Sequence, residues 1–195
     1  MKRLFDILAS AVGLFLLAPL FVLVAVAIVL TSRGPVFFRQ ERIGRNFVPF
    51  RIFKFRSMVA DAPTQGGQIT AGADRRITRV GRVLRATKLD EVPQLINVLV
   101  GDMSLVGPRP EVPKYVAMFP DDFRQILVVR PGITDPASVK FRDESAILGR
   151  AADPEAEYVG RVLPEKLELG KEYVARQSFW YDLSLIFRTL WRVVR

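Results

Sequence analysis

From Ile7 to Ser32 the chain runs for 26 residues without a charge, ILASAVGLFLLAPLFVLVAVAIVLTS. As a helix rising about 1.5 Å per residue, such a run is roughly 39 Å long, more than the ~30 Å hydrocarbon core of a bilayer. A cleaved signal peptide has a shorter apolar core and a small-residue cleavage site. Here the run passes straight into RGPVFFRQERIGR, so it reads as a retained membrane segment. Lys2 and Arg3 precede it, and Arg33, Arg39, Arg42 and Arg45 follow. With basic flanks on both sides, the positive-inside rule gives little reason to put the two ends on opposite faces. Pro19, near the middle, removes a backbone hydrogen bond and favours a kink. Two topologies stay open on these residues: a single-pass helix with a tolerated proline, and a segment that dips into one leaflet, breaks at Ala18-Pro19 and returns.

The other end carries a related pattern. In SFWYDLSLIFRTLWRVVR, Phe179, Trp180, Leu183, Ile186, Phe187, Leu190, Trp191 and Val194 recur at helical spacing, with Arg188, Arg192 and Arg195 largely off that stripe. Aromatic residues opposite a basic face suit a helix lying in the membrane interface; the same stripe also suits packing on the protein's own core.

Between these ends no repeat, low-complexity run or domain boundary is visible. PVFFRQERI and FVPFRIFKFRSM read as two strands joined at Gly44-Arg45-Asn46, a β-hairpin whose second strand puts Lys54 and Arg56 on one face. The polar, glycine-rich DAPTQGGQITAGAD reads as a loop. DRRITRVGRVLRA predicts a helix capped by Asp74 with Ile77, Val80 and Leu84 on one face, and DEVPQLINVLV a second with Leu95, Ile96 and Leu99 inward. Further helices are expected near 113–127, around 143–151 and through 164–195, with VVRPGITDPASVKFRD as loop or short strand. The expected class is α+β, mostly helical with one hairpin: a membrane anchor over 1–33, then one domain over 34–195 ending in an amphipathic helix.

Composition excludes a great deal of chemistry. There is no Cys and no His among the 195 residues. Thiol nucleophiles, disulfides, Ser-His-Asp relays and His zinc sites are out, and catalysis must run on carboxylates, cations, hydroxyls or an oxygen-bound metal. Lys and Arg number 29 against 20 Asp and Glu, a net +9, which predicts acidic partners: phosphorylated ligands, anionic lipid or nucleic acid.

Against that basic background, RATKLDEVPQL sets Asp90 and Glu91 side by side after Arg85 and Lys88. Taken alone, the pair decorates a helix start: the dipole favours a carboxylate there, Thr87-x-x-Asp90 resembles a capping box, and Pro93 suits a first turn. Adjacent acids can also divide labour, one attacking phosphorus as a covalent nucleophile and the other holding Mg²⁺. The following GPRPE stiffens the backbone that carries Arg109, because Gly107 and Arg109 each precede a proline. A pre-positioned guanidinium fork suits bidentate phosphate recognition, although the pentapeptide taken alone reads as a rigid loop with Arg109 facing water.

KRLFDI, GPVFFRQERIG, FKFRSM, LDEVPQLINVLVGDMSLVGPRPE and VRPGIT, in that order between Lys2 and about Thr134, resemble the bacterial sugar transferases, the small monotopic phosphoglycosyl transferases. The resemblance implies an enzyme that moves a sugar 1-phosphate from a nucleotide sugar, usually a UDP-sugar, to polyprenyl phosphate and releases the nucleoside monophosphate. It implies the cytoplasmic face of the bacterial inner membrane and a re-entrant helix broken at Ala18-Pro19 in one leaflet. By position, Asp90 becomes the nucleophile, Glu91 the Mg²⁺ ligand, and Arg109 the holder of the nucleotide. Lys54 and Arg85 line the phosphate site, with Arg130 a further candidate. Beyond Thr134 the match loosens: DPASVKFRDE stands where the family often has Gly-Trp-Ala-Gln-Val, and Gly170 where some members carry an Asp. The sugar is therefore left open. A homodimer is compatible with such an enzyme, nucleic acid is not expected as a partner, and no transmembrane bundle is expected ahead of the catalytic part. Two other readings compete: direct transfer in a ternary complex with both carboxylates on the metal, and a membrane-tethered basic binding module or scaffold without chemistry.

Overall fold

The computed structural model describes residues 1–67 and 69–194, without the side chains of Leu190 and of residues 192–194. The fold is α+β. Helix α1 spans Lys2–Thr31, contains Pro19 and stays helical through it. Strands β1 (Phe37–Ile43) and β2 (Pro49–Phe55) form the expected antiparallel hairpin, pairing Phe38 with Lys54 and Gln40 with Ile52. Helices α2 (Arg79–Ala86) and α3 (Gln94–Val100) follow, joined through a 3₁₀ turn at Leu89–Glu91. Then come β3 (Ser104–Val106), α4 (Pro113–Val116), α5 (Pro120–Ile126), β4 (Gly132–Thr134), α6 (Pro136–Lys140), α7 (Glu144–Leu148), α8 (Pro154–Glu157), α9 (Leu163–Arg176) and α10 (Phe179–Val194).

Both ends of α1 are tied to the same folded body. At its start, Lys2 Nζ donates to Val106 O (2.8 Å) and Tyr173 Oη (2.9 Å) and pairs with Asp182. Arg3 donates to Val98 O (2.6 Å) and Leu99 O (3.1 Å), satisfying carbonyls that the end of α3 leaves without a helical partner. Buried Asp6 accepts from Ser104 Oγ and Leu105 N. At its end, Val24 and Ile28 pack on Phe55 and Leu84, and Arg56 donates to the carbonyls of Ser32 and Arg33. The outer face between them stays exposed, with Phe15 at 80% and Leu23 at 68%.

The largest core lies on the far side, where Val116, Phe123, Ile126, Leu148, Val162 and Leu167 bring α4, α5, α7 and α9 together. A two-residue break at Gln177-Ser178 splits the long C-terminal helical pattern into α9 and α10. Helix α10 turns Leu185 and Asp182 inward and leaves Trp180, Phe187 and Trp191 exposed. The sequence expectations for the side chains of Leu190, Arg192 and Val194, and for Arg195, lie outside the described residues.

Several local expectations fail for identifiable reasons. The cap of α2 is Thr78, whose side chain accepts from Gly81 N, because Asp74 is engaged by Arg76. Thr87 does not cap the next helix; its hydroxyl donates back to Val83 O and closes α2. In α3 the inward residues are Gln94, Asn97 and Val98, while Leu95 and Ile96 are half-buried and Leu99 is exposed. Asn97 explains the rotation: it accepts from Phe53 N (2.9 Å) and donates to Arg51 O (2.9 Å), stitching α3 to β2. Lys54 and Arg56 part company because β2 ends at Phe55 and Arg56 turns to the end of α1. The segment 113–127 divides before Pro120, which starts α5 in place of continuing α4.

Candidate active site

β3 and β4 pair in parallel, Ser104 with Gly132 and Val106 with Thr134. Their carboxyl ends therefore deliver Gly107-Pro108-Arg109 and Asp135 side by side. Gly107 and Gly132 allow that approach: a Cβ on Gly132 would lie 2.1 Å from Gly107 N, so the two strands could not close over any larger residue. Asp135 then does two things with one carboxylate. It caps α6 by accepting from Ser138 N (2.7 Å) and holds the Arg109 amide (3.2 Å).

From the other side comes the turn between α2 and α3. Lys88 adopts a left-handed backbone (φ +58°), which reverses the chain and presents Asp90 and Glu91. Glu91 is the hub. It accepts from Lys54 Nζ (2.8 Å) on β2 and takes both arms of the Arg109 guanidinium, Nη1 at 3.2 Å and Nη2 closer. Burial alone would raise its pKa, but the charges and hydrogen bonds of Arg109 and Lys54 overcome this and hold it well below the usual carboxylate range. Asp90 goes the other way. It is buried, its Oδ1 has no protein donor, and burial followed by the Glu91 charge raises its pKa against the pull of Lys54, Arg85 and Lys88. Two adjacent carboxylates thus sit in environments that push them apart, the arrangement that assigns distinct roles to like groups.

The structure brings together Asp90, Glu91, Lys54 and Arg109, with Arg85 close enough for its charge to act on Asp90. It does not bring Arg130. That side chain donates from Nε to Gly101 O (2.9 Å), and its charged neighbours are Arg45, Arg3 and Asp6. Sequence reasoning missed Asp135 and Lys88 as parts of the site. Asp135 had a signal, an Asp-Pro pair that reads as a cap before a first-turn proline; the left-handed Lys88 had none.

The family model described as bacterial sugar transferase matches residues 1–195. The chain belongs to the bacterial sugar transferase family. A UDP-N-acetylgalactosamine-undecaprenyl-phosphate N-acetylgalactosaminephosphotransferase of Aeromonas hydrophila is 40% identical over 97% of this chain and 42% of its own length. An undecaprenyl-phosphate glucose phosphotransferase of Komagataeibacter xylinus is 41% identical over 99% of the chain and 36% of its own. The chain thus spans less than half the length of these relatives. An exopolysaccharide production protein of Rhizobium leguminosarum bv. phaseoli is 37% identical over 97% of the chain and 93% of its own length.

The acidic pair is where a magnesium ion could be held. Mg²⁺ takes one or two carboxylates and fills its shell with water and substrate phosphate oxygens. Glu91 is the carboxylate that would hold it, once its oxygens are freed from Lys54 and Arg109. Among the described residues no group of three or more acidic side chains converges into an all-protein cage, so an ion held here would draw on water or substrate oxygens for its shell.

Proposed function

We propose that this chain is a phosphoglycosyl transferase that moves a sugar 1-phosphate from a UDP-sugar to polyprenyl phosphate through a covalent intermediate on Asp90. The observation that supports it most is the opposed electrostatics of the adjacent pair: Asp90 disfavoured as an anion, Glu91 clamped as one. A desolvated carboxylate with a free oxygen is an activated nucleophile. It attacks the sugar-bearing phosphorus, the bond from that phosphorus to the bridging oxygen breaks, and UMP leaves. A phosphate oxygen of the polyprenyl acceptor then attacks the same phosphorus and breaks the acyl-phosphate bond. The product is a polyprenyl diphosphate sugar, and Asp90 is restored.

Arg109 and Lys54 are the charges that receive the donor's diphosphate. Arg109 already grips a planar carboxylate with both arms, the geometry in which a guanidinium holds a phosphate. With the diphosphate on these two cations, Glu91 would be the residue left to hold a magnesium ion, and Asp90 would stay free to attack. The ion supplies charge neutralisation at the transferring phosphoryl group. Arg85 and Lys88 add positive potential on the Asp90 side.

The membrane reading belongs to the same proposal. We take residues 1–33 as a re-entrant anchor in one leaflet of the inner membrane, with the rest at the cytoplasmic face. Support comes from Lys2, Arg3 and Asp6 at one end of α1 and Ser32 at the other, all bound to one body.

The deciding experiment is intact-protein mass spectrometry after incubation with Mg²⁺ and a panel of UDP-sugars without acceptor. The expected result is a sugar-phosphate adduct with one donor, absent in Asp90→Asn. UMP release that requires polyprenyl phosphate, with no adduct, overturns the covalent route in favour of direct transfer.

A further inference from the structure

Arg130 joins two other arginines brought from distant parts of the chain. Arg3, in the first turn of α1, lies against the Gly101 turn, where a Cβ would fall 3.3 Å from its Nη2. Arg130 reaches the same turn and donates to Gly101 O. The hairpin tip is pinned beside them by the Asn46 amide, which donates to Leu127 O (2.8 Å), and this brings Arg45 up to Arg130. Burial and then the charges of Arg45 and Arg3 depress the pKa of Arg130, so the three act on one another as like charges. The nearby carboxylates are otherwise engaged: Asp6 by Ser104 and Leu105, Asp102 by Asn97. The Asp6 charge offsets only part of the repulsion from Arg45 and Arg3, and gathering three guanidiniums with so little counter-charge is unfavourable unless an anion completes the cluster.

The hairpin tip adds an independent observation. Asn46 and Phe47 both have positive φ, +57° and +62°, in a two-residue turn that favours glycine at the second position. An aromatic residue there is strained, and it is also exposed, as are Val48, Val100 and Val128 around the cluster. Such strain is tolerated where the side chain has work outside the fold. A basic centre rimmed by exposed apolar side chains is the pattern of a bilayer interface. The cluster is also continuous with the basic flank of the apolar helix α1, since Arg3 belongs to both.

We propose that Arg3, Arg45 and Arg130 form a binding site for the phosphodiester headgroup of an anionic phospholipid, with Phe47, Val48, Val100 and Val128 entering the adjoining acyl boundary. The site docks the body beside its anchor. It requires α1 to lie in a bilayer and is independent of the sugar-transfer chemistry.

The test is native mass spectrometry of the detergent-purified full chain, offered equal amounts of phosphatidylglycerol and phosphatidylcholine. Wild type is expected to retain phosphatidylglycerol selectively. Arg45→Gln and Arg130→Gln should each cut that retention about fivefold, and the double variant about 25-fold, from roughly 1 kcal/mol per interfacial charge. Arg45 is exposed at the tip, so Arg45→Gln probes the site even where Arg130→Gln disturbs the Gly101 turn. Phe47→Gly should raise the melting temperature and still weaken retention, a pairing that a purely structural role for the ring does not produce. Arg124→Gln, at an exposed position of α5, should change nothing. Equal retention of the two lipids by wild type, wild-type retention in the double variant, or full displacement of the lipid by millimolar inorganic phosphate overturns the proposal.

Discussion

At Glu91 one carboxylate neutralises two half-buried cations, so its loss is felt twice. Glu91→Gln leaves Lys54 and Arg109 facing each other with their shared counter-charge gone; breaking one side of a buried pair costs on the order of 3 kcal/mol. The expected result is a large drop in melting temperature together with lost turnover, checked by thermal unfolding in detergent. Asp90→Asn should do the reverse to stability. The folded-state pKa of Asp90 is raised, so its favourable protonated form is fully present below the ordinary carboxylate pKa and lost as pH rises through the folded value. At neutral pH the buried anion is a burden, and Asn removes it. The variant should melt higher than wild type at pH 7.5, with the gap closing as pH falls, while turnover vanishes. Because nucleophilic attack needs the anion, the acid limb of kcat/KM against pH should lie above the usual carboxylate range. Arg85 pulls that pKa down, so Arg85→Gln should move the limb to higher pH. An unmoved limb would detach Arg85 from Asp90. None of this asymmetry was legible in the sequence. Adjacency of Asp90 and Glu91 is visible there, but which acid is clamped depends on Lys54 and Arg109, brought in by folding from 37 and 18 positions away.

Elements were legible where their signals were local. The hairpin announced itself through two aromatic strands and a short turn, and α1 through its unbroken apolar run. The inward face of α3 was not, because periodicity assigns burial to apolar residues, whereas the buried stripe is Gln94 and Asn97 with Val98. Asn97, held inward by backbone partners on β2, breaks the hydrophobic pattern beside the reacting groups. The parallel pair β3–β4 was also missed, since three-residue strands carry no period. Yet that pair sets the approach of the Pro-Arg-Pro loop to Asp135. Asp135→Ala removes the α6 cap, worth about 1 kcal/mol, and releases the Arg109 amide. A modest fall in stability is expected, with a several-fold rise in KM for the UDP-sugar and little change in kcat. Equal losses in both constants would show that Asp135 acts beyond holding the loop.

For the whole molecule, the basic flanks left the topology of the apolar segment undecided, and the structure adds what flanking charges cannot. A helix of 30 residues is about 45 Å long, ample to cross a bilayer at 1.5 Å per residue. Its first turn is nevertheless bound to β3, α3 and α10 through Lys2, Arg3 and Asp6, and its last turn to β2 through Arg56. If the first turn were on the far side of the membrane, it would abandon the Lys2–Asp182 pair, strip buried Asp6 of Ser104 and Leu105, and leave the Asp182 carboxylate with the neutral Tyr173 hydroxyl in place of a cation. Returning to the same face keeps all of them. The chain has no cysteine, so single reporters are clean. A cysteine inserted after Met1 and another at exposed Asp121 should both react with impermeant maleimide in inverted inner-membrane vesicles and both stay unlabelled in intact cells. Labelling of the first reporter from outside, with Asp121→Cys protected, would place the two ends of α1 across the bilayer and exclude the re-entrant anchor. Lys2→Gln should weaken the tie without reversing the labelling, because Arg3 and Asp6 still hold the turn.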